Sequence, residues 1–391
     1  MRYVTAGESH GPKLTAVIEG IPAGLTLSAD KINAALARRQ QGYGRGNRMK
    51  IEHDQVEIVS GVRHQKTLGA PITLQVTNRD YAHWDEIMSP TAAATPENTI
   101  RQVTKPRPGH ADLVGGQKYQ QRDLRNILER SSARETTMRV AVGSVCQQLL
   151  AAIDVEVLGF VQQLGGIYAD PTKLPELGDL AAVRAITEAS DVRTYDEAAA
   201  AKIRDLIDIT KKAGDTLGGV VEVVATNLPA GLGSYVSADT KLDAKIAQSI
   251  ISINAFKGVE FGDGFGLADH PGSEDMDEIL YTPERGFYRG SNHLGGFEGG
   301  MTNGEPIIVK GVMKPIPTLY KPLNSVDIAT KQAYKANVER SDTTAVPAAA
   351  VVAEAMVSIT LAEAVLAKFD ADALPRLQAQ VAAYRKELAA Y

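Results

Sequence analysis

Glu129-Arg130-Ser131-Ser132-Ala133-Arg134-Glu135-Thr136-Thr137 is the stretch around which this chain of 391 residues is read. Ser132 followed three residues later by Glu135 has the spacing of a capping box, in which each side chain closes the other residue's free backbone N–H. Met138, Ala141, Val142, Val145 and Leu149 then recur at helical spacing, which predicts a helix with one apolar face running to about residue 152. A helix start carries unpaired N–H groups and a partial positive charge, so it suits an anion. Arg130 and Arg134 bracket that start, each with a planar fork for a carboxylate or phosphate. An ordinary capped helix with two solvated arginines fits the same letters, so the rest of the chain has to decide.

A weak echo lies far downstream. Glu339-Arg340-Ser341-Asp342 precedes a second Ala/Val-rich run from Ala348 to Met356, with Pro347 placed where a first helical turn tolerates it. The echo predicts a duplicated anion-binding helix start, one per half of the fold. Around these two points strands and helices alternate. Strands are expected over residues 1–6, 14–19, 51–59, 71–77, 155–162, 219–226 and 305–312. Helices are expected from Ser28 or Asp30 to Gln41, near 116–128, around 194–212, over 240–253 and over about 376–390. The polar stretch 165–215 reads as a peripheral excursion. No shift in composition marks a linker, so one α+β domain spanning residues 1–391 is the simplest account.

Composition narrows the chemistry. A net charge of −5 argues against general nucleic-acid binding, which wants a basic surface. Arg38, Arg39, Arg45 and Arg48 nevertheless crowd one short stretch, which points to a small anionic ligand. No run of about 18 apolar residues suggests a membrane span, and the first residues lack the apolar stretch of a signal peptide. Cys146 is the one cysteine, so no intrachain disulfide or cysteine metal cluster is possible, and a reducing cytoplasm is the expected setting. No metal site is expected: the Asp/Glu clusters read as solvated surface. Phosphate loops, dinucleotide fingerprints and Gly-x-Ser-x-Gly elbows are absent from the sequence. His10 and His110 sit in Gly- and Pro-rich loops beside arginines, where a histidine suits acid–base work. His53, His64, His83 and His270 read as ordinary, and His293 is left open. A site for a multiply anionic small molecule, with room for a phosphorylated cofactor, follows from the residues.

Five motifs together resemble the chorismate synthase family: Gly7-Glu8-Ser9-His10-Gly11, Gln41-Gly42-Tyr43-Gly44-Arg45, Arg107-Pro108-Gly109-His110-Ala111-Asp112, the opening stretch, and Arg340-Ser341-Asp342. Asn254-Ala255-Phe256-Lys257-Gly258 and Lys314-Pro315-Ile316-Pro317-Thr318 add to the resemblance, which runs in order over the whole chain. It implies an anti 1,4-elimination of phosphate from 5-enolpyruvylshikimate 3-phosphate, giving chorismate, in a reaction that needs reduced FMN without net redox change. By that resemblance His10 would protonate the departing phosphate, His110 would serve the flavin at its N1/O2 edge, and Asp342 would act near N5. Ser9, His10, Arg39, Arg45, Arg48, Arg107, Ala133 and Arg134 would hold the substrate. Arg130, Ser131, Ser132, Asn254, Ala255, Gly299, Lys314, Pro315, Ile316, Pro317, Thr318 and Arg340 would contact the flavin, and Arg39 and Arg45 are also linked to NADPH. The resemblance further implies a layered α+β sandwich, with helices packed between two antiparallel sheets and an internal duplication. It implies a homotetramer too, and either NADPH or a separate flavin reductase as the source of reducing power.

Overall fold

Strand Lys13–Glu19 buries Leu14, Ala16 and Ile18, and strand Ile72–Thr77 buries Ile72, Leu74 and Val76. This period of two is what a sheet with one covered face requires. The two strands pair antiparallel, with Arg2–Ala6 on one flank and Val56–Ser60 on the other. A second antiparallel sheet has the order Phe256–Phe261, Ile307–Met313, Gly219–Thr226, Glu156–Leu164, Ile167–Tyr168. Its central strand 219–226 is buried almost throughout, so helices must cover both its faces. The computed structural model describes residues 1–46, 52–370 and 372–391; Arg48 and the first residue of the strand expected at 51–59 lie outside them.

The helices among the described residues are α1 (Ala29–Gln40), α2 (Asp112–Lys118), α3 (Arg125–Ser131), α4 (Thr136–Ala151), α5 (Leu180–Ala189), α6 (Glu197–Lys212), α7 (Leu242–Ile251), α8 (Gly272–Asp275), α9 (Val346–Lys368) and α10 (Leu374–Ala390). Helix α4 packs on strands 13–19 and 72–77, α9 packs on strands 156–164 and 219–226, and α4 and α9 pack on each other. At their crossing the backbones come close: a Cβ added to Gly143 would lie 2.4 Å from the Cβ of Ala355. Helix α9 is long and apolar enough by composition to cross a membrane, but most of it is buried in the fold. An all-round apolar helix is what a central position demands. Its buried Glu354 is met by Arg38 Nη1 and Nη2 at 2.8 and 2.9 Å, by Gln147 Nε2 at 2.8 Å and by the Gly159 N–H at 2.9 Å. Burial pushes this carboxyl up, but the Arg38 charge and the hydrogen bonds outweigh it and hold it at about 2.

The segment 165–215 carries α5 and α6. Leu180 and Val183 pack with Leu158, Phe160 and Val224, while Ile203 and Ile207 join the main core. Arg38 Nε donates to Glu188 at 2.8 Å and Arg193 Nη1 donates to the same carboxylate at 2.6 Å, which ties this segment to α1.

Two local expectations are corrected. The helix expected near 116–128 is split into α2 and α3, because Gln120 takes a left-handed φ of 54° and the chain folds back. Gly115 and Gly116 make that return possible, since a Cβ there would come within 2.4 and 2.5 Å of Ile127 and Leu124. The capping box also does not form. A tight turn over Ala133–Glu135 intervenes before α4; Ser132 Oγ accepts from the Arg134 N–H at 3.3 Å, and Glu135 turns forward to Arg139 at 3.0 Å. A reach back to Ser132 needs a helix that starts there, and the cation one turn ahead is the better partner for a carboxylate.

Candidate active site

Gly7 has a φ of 111°, and a Cβ there would lie 2.5 Å from the Lys13 carbonyl, so only glycine opens the loop that carries His10. The next residues dock on α3. The Ser9 N–H donates to the Glu129 carbonyl at 3.0 Å, and the His10 N–H donates to Glu129 Oε2 at 2.8 Å. His10 Nδ1 lies 2.9 and 3.0 Å from the two Glu129 oxygens. The ring stacks on Trp84, centroids 3.9 Å apart at 23°, and its Nε2 lies 3.8 Å from Asp80 Oδ2.

His110 follows the Pro-stiffened Arg107 turn. Its Nδ1 lies 2.6 Å from Asp112 Oδ1, and Arg107 Nε donates to Asp112 Oδ2 at 2.8 Å. Asp112 is fully buried; burial pushes its carboxyl up, yet His110 and Arg107 together hold it well below the usual carboxylate range. Arg107 Nη1 reaches on to Thr318 Oγ1 at 2.8 Å, linking this turn to the Lys314–Thr318 segment.

The arginines are more engaged than their letters suggest. Arg134 donates to Asp54 at 2.8 Å and to Asn78 Oδ1 at 2.8 and 3.0 Å. Arg39 spans the turn before α4, donating to Thr136 Oγ1 and to the Ala133 carbonyl, both at 2.9 Å. Its Nη1 is buried without a hydrogen bond among the described residues, 3.8 Å from Asp54. Asp342 accepts from the Gly46 N–H at 2.6 Å and lies 3.3 Å from Arg45 Nε, while the Thr343 N–H donates to the Gly44 carbonyl at 3.0 Å. Arg340 pairs with Asp80.

These groups line one cavity of about 540 Å³, within the range usual for small-molecule sites. From the expected set it gathers Ser9, His10, Arg39, Arg45, Arg107, His110, Ser131, Ser132, Ala133, Arg134, Asn254, Ala255, Lys314, Ile316, Pro317, Thr318, Arg340 and Asp342. Both Arg-Ser stretches therefore reach the same space. Arg130 does not line it: its guanidinium turns to the carbonyls of Thr5 and Gly7 at 2.9 and 3.1 Å. Pro315 and Gly299 also lie off it; Gly299 occupies a hairpin turn with φ 57° beside Tyr235. Sequence reasoning gave no role to Trp84, Lys257, Glu129, Asp112 or Asp80. Asp112, Glu129 and Lys257 stood inside quoted motifs; only Asp112, two residues from His110, carried a signal in its spacing, whereas Glu129 meets His10 across 119 residues.

The donor set is mixed. Leu128, Ile253, Met313, Ala349 and Val352 offer an apolar wall. Asn254 donates through Nδ2 to the Ser131 carbonyl at 3.1 Å, leaving Oδ1 buried without a hydrogen bond among the described residues. Burial, reinforced by the Lys257 charge, lowers the Lys314 ammonium, so an anion placed between the two would be welcomed.

The family model described as chorismate synthase matches residues 1–366. The chain belongs to the chorismate synthase family. It is 62% identical over 392 residues to the chorismate synthase of Leuconostoc citreum, with 100% of both chains covered. To that of Enterococcus faecalis it is 61% identical over 385 residues, covering 98% of each. A crystal structure of chorismate synthase superposes with a TM-score of 0.81 at 41% identity, covering 100% of this chain and 98% of that one. Mixed helices and antiparallel sheets are thus common to the chain and its family.

Proposed function

We propose that the cavity is a chorismate synthase active site, and that the chain is a lyase of the shikimate pathway. In it 5-enolpyruvylshikimate 3-phosphate loses its phosphate by anti 1,4-elimination. One C–O bond and one ring C–H bond break, a second ring double bond forms, and chorismate and phosphate leave. The observation that carries this reading is convergence: in a chain of this family, two loop histidines and both Arg-Ser stretches meet at one cavity.

The residues fit a flavin. The apolar wall suits a flat ring, Asn254 Oδ1 needs a donor, and Lys314 with Lys257 suits a phosphate. Ser131, Ser132, Asn254, Ala255, Lys314, Thr318 and Arg340 would hold it, with His110 and Asp342 on its polar edges as the resemblance implies. Reduced FMN, when bound, supplies an electron-rich ring that eases phosphate departure and is returned unchanged. The chain's own residues do the rest. His10, with Nδ1 engaged by Glu129, offers Nε2 as the atom that gives a proton to the departing phosphate. Arg39, Arg45 and Arg107 bring positive charge to the carboxylates and phosphate, and a fixed cation stabilises charge as it develops. Asp342, fixed by Gly46 and Arg45, would act near the flavin N5, where the hydrogen from the substrate ring is taken up, as the resemblance implies.

An anaerobic assay with catalytic reduced FMN tests the reading. Phosphate release far exceeding the reductant consumed is expected, and consumption in step with product would replace elimination by net hydride transfer. His10→Ala should lower turnover by about 10²–10⁴ while substrate binding survives. A homotetramer, a cytoplasmic setting and a reductant that is either NADPH near Arg39 and Arg45 or a separate reductase belong to the same proposal, supported by family membership. So do the sandwich layering and the internal duplication, which the shared cavity of the two Arg-Ser stretches supports. Oxidised FMN with NADPH as sole reductant decides the reductant.

A further inference from the structure

We propose that Glu129 is a positioning residue that grips His10 by Nδ1, so that Nε2 is the ring nitrogen presented to the cavity. The inference rests on the role given to His10 above. Glu129 holds this residue twice, through the backbone N–H at 2.8 Å and through Nδ1 at 2.9 and 3.0 Å. The Glu129 side chain is almost wholly buried, and Arg125 Nη1 donates to its Oε1 at 3.1 Å. Burial pushes the Glu129 carboxyl up, but the bonds from His10 and the Arg125 charge outweigh it and keep the group ionised.

An ionised carboxylate only accepts, so Nδ1 keeps its hydrogen throughout, and the proton given to the phosphate is the second one, carried on Nε2 of the imidazolium. A second carboxylate makes this choice necessary. Asp80 Oδ2 stands 3.8 Å from Nε2 and would compete for a hydrogen on that side. Stacking on Trp84 fixes the plane of the ring but does not distinguish its two edges. Glu129 supplies the distinction. A carboxylate behind a histidine that sets its tautomer and direction is a recurrent arrangement, and its loss costs about 10- to 100-fold behind metal-ligating histidines.

The test is Glu129→Gln in the full chain, with His10 ring nitrogens followed by ¹⁵N NMR of histidine-labelled protein and assigned by comparison with His10→Asn. In the unaltered chain the neutral form of His10 should show one tautomer, with its hydrogen on Nδ1, and protonation should add the second hydrogen at Nε2. Glu129→Gln should give mixed tautomers and a kcat about 10- to 100-fold lower, with KM within about twofold. Glu129→Asp, which keeps the charge, should recover part of kcat and serves if the glutamine variant does not fold. The double variant His10→Asn/Glu129→Gln should be no slower than His10→Asn, because the two act through one atom. An unchanged His10 tautomer in Glu129→Gln, or losses that multiply in the double variant, would overturn the proposal. Full turnover by His10→Asn would instead overturn the role of His10 itself.

Discussion

Glu129 and Glu339, the leading residues of the two Glu-Arg-Ser repeats, share one guanidinium: Arg125 donates to the first through Nη1 and to the second through Nη2, each at 3.1 Å. The two stretches, far apart in sequence, are therefore joined through one cation that serves two acids. Removing that cation leaves the buried Glu129 carboxylate with His10 alone to meet it. Arg125→Leu should cost about 3 kcal/mol of unfolding free energy in urea. Arg125→Lys keeps the charge but lacks the fork, and should fall between the two.

How far the letters reached is clear from this pair. Motifs located the cavity, and periodicity located strands 72–77 and 219–226, the Ser28-capped α1 and the C-terminal helix, because each signal there is local. Partners were not legible. That Arg130 turns to Thr5 and Gly7, or that Arg134 is held by Asp54 and Asn78, depends on loops brought together only by the fold. The missing capping box has the same cause, since Arg139 competes for Glu135 once α4 exists.

Gly143 tests the packing of α4 on α9. In an exposed helix Gly143→Ala would gain about 1 kcal/mol from propensity. Here the added methyl meets the Ala355 Cβ at 2.4 Å and its Cα at 2.6 Å, where overpacking costs about 1–3 kcal/mol. A net loss of stability is expected by chemical denaturation, and a gain would show that the helices separate at no cost.

Two buried glutamates should respond to pH with opposite signs. Burial raises Glu222 from its ordinary 4.5 to about 7, with Lys310 opposing and Glu260 adding to the rise. Its contribution to stability is full below about pH 4.5 and is lost as pH rises through 7. Glu354 is held at about 2, so its contribution is present above about pH 4.5 and is lost as pH falls through 2. Unfolding midpoints across pH should lose the first slope in Glu222→Gln and the second in Glu354→Gln.

Trp84 is the one tryptophan in the chain, stacked on His10 with Arg101 3.9 Å above its ring. Intrinsic tryptophan emission therefore reports on the site alone. Emission should rise in His10→Ala, which removes a neighbouring imidazole quencher, and should change when substrate fills the cavity. Emission indifferent to both would mean that the stack does not exist in solution.

None of the residues expected at the site lies in segment 165–215, yet Asp342 depends on it. The Asp191 carbonyl accepts from the Tyr43 N–H at 2.8 Å, Asp208 accepts from the Tyr43 hydroxyl at 3.0 Å, and Ile207 packs under Gly44. Gly44 in turn holds Thr343, beside Asp342. Substitutions in a stretch that lines no part of the cavity thus reach Asp342 through Tyr43 and Gly44. A shortened scaffold that dropped this segment would leave Asp342 its bonds to Gly46 and Arg45 but remove the support beneath the loop that carries those two residues.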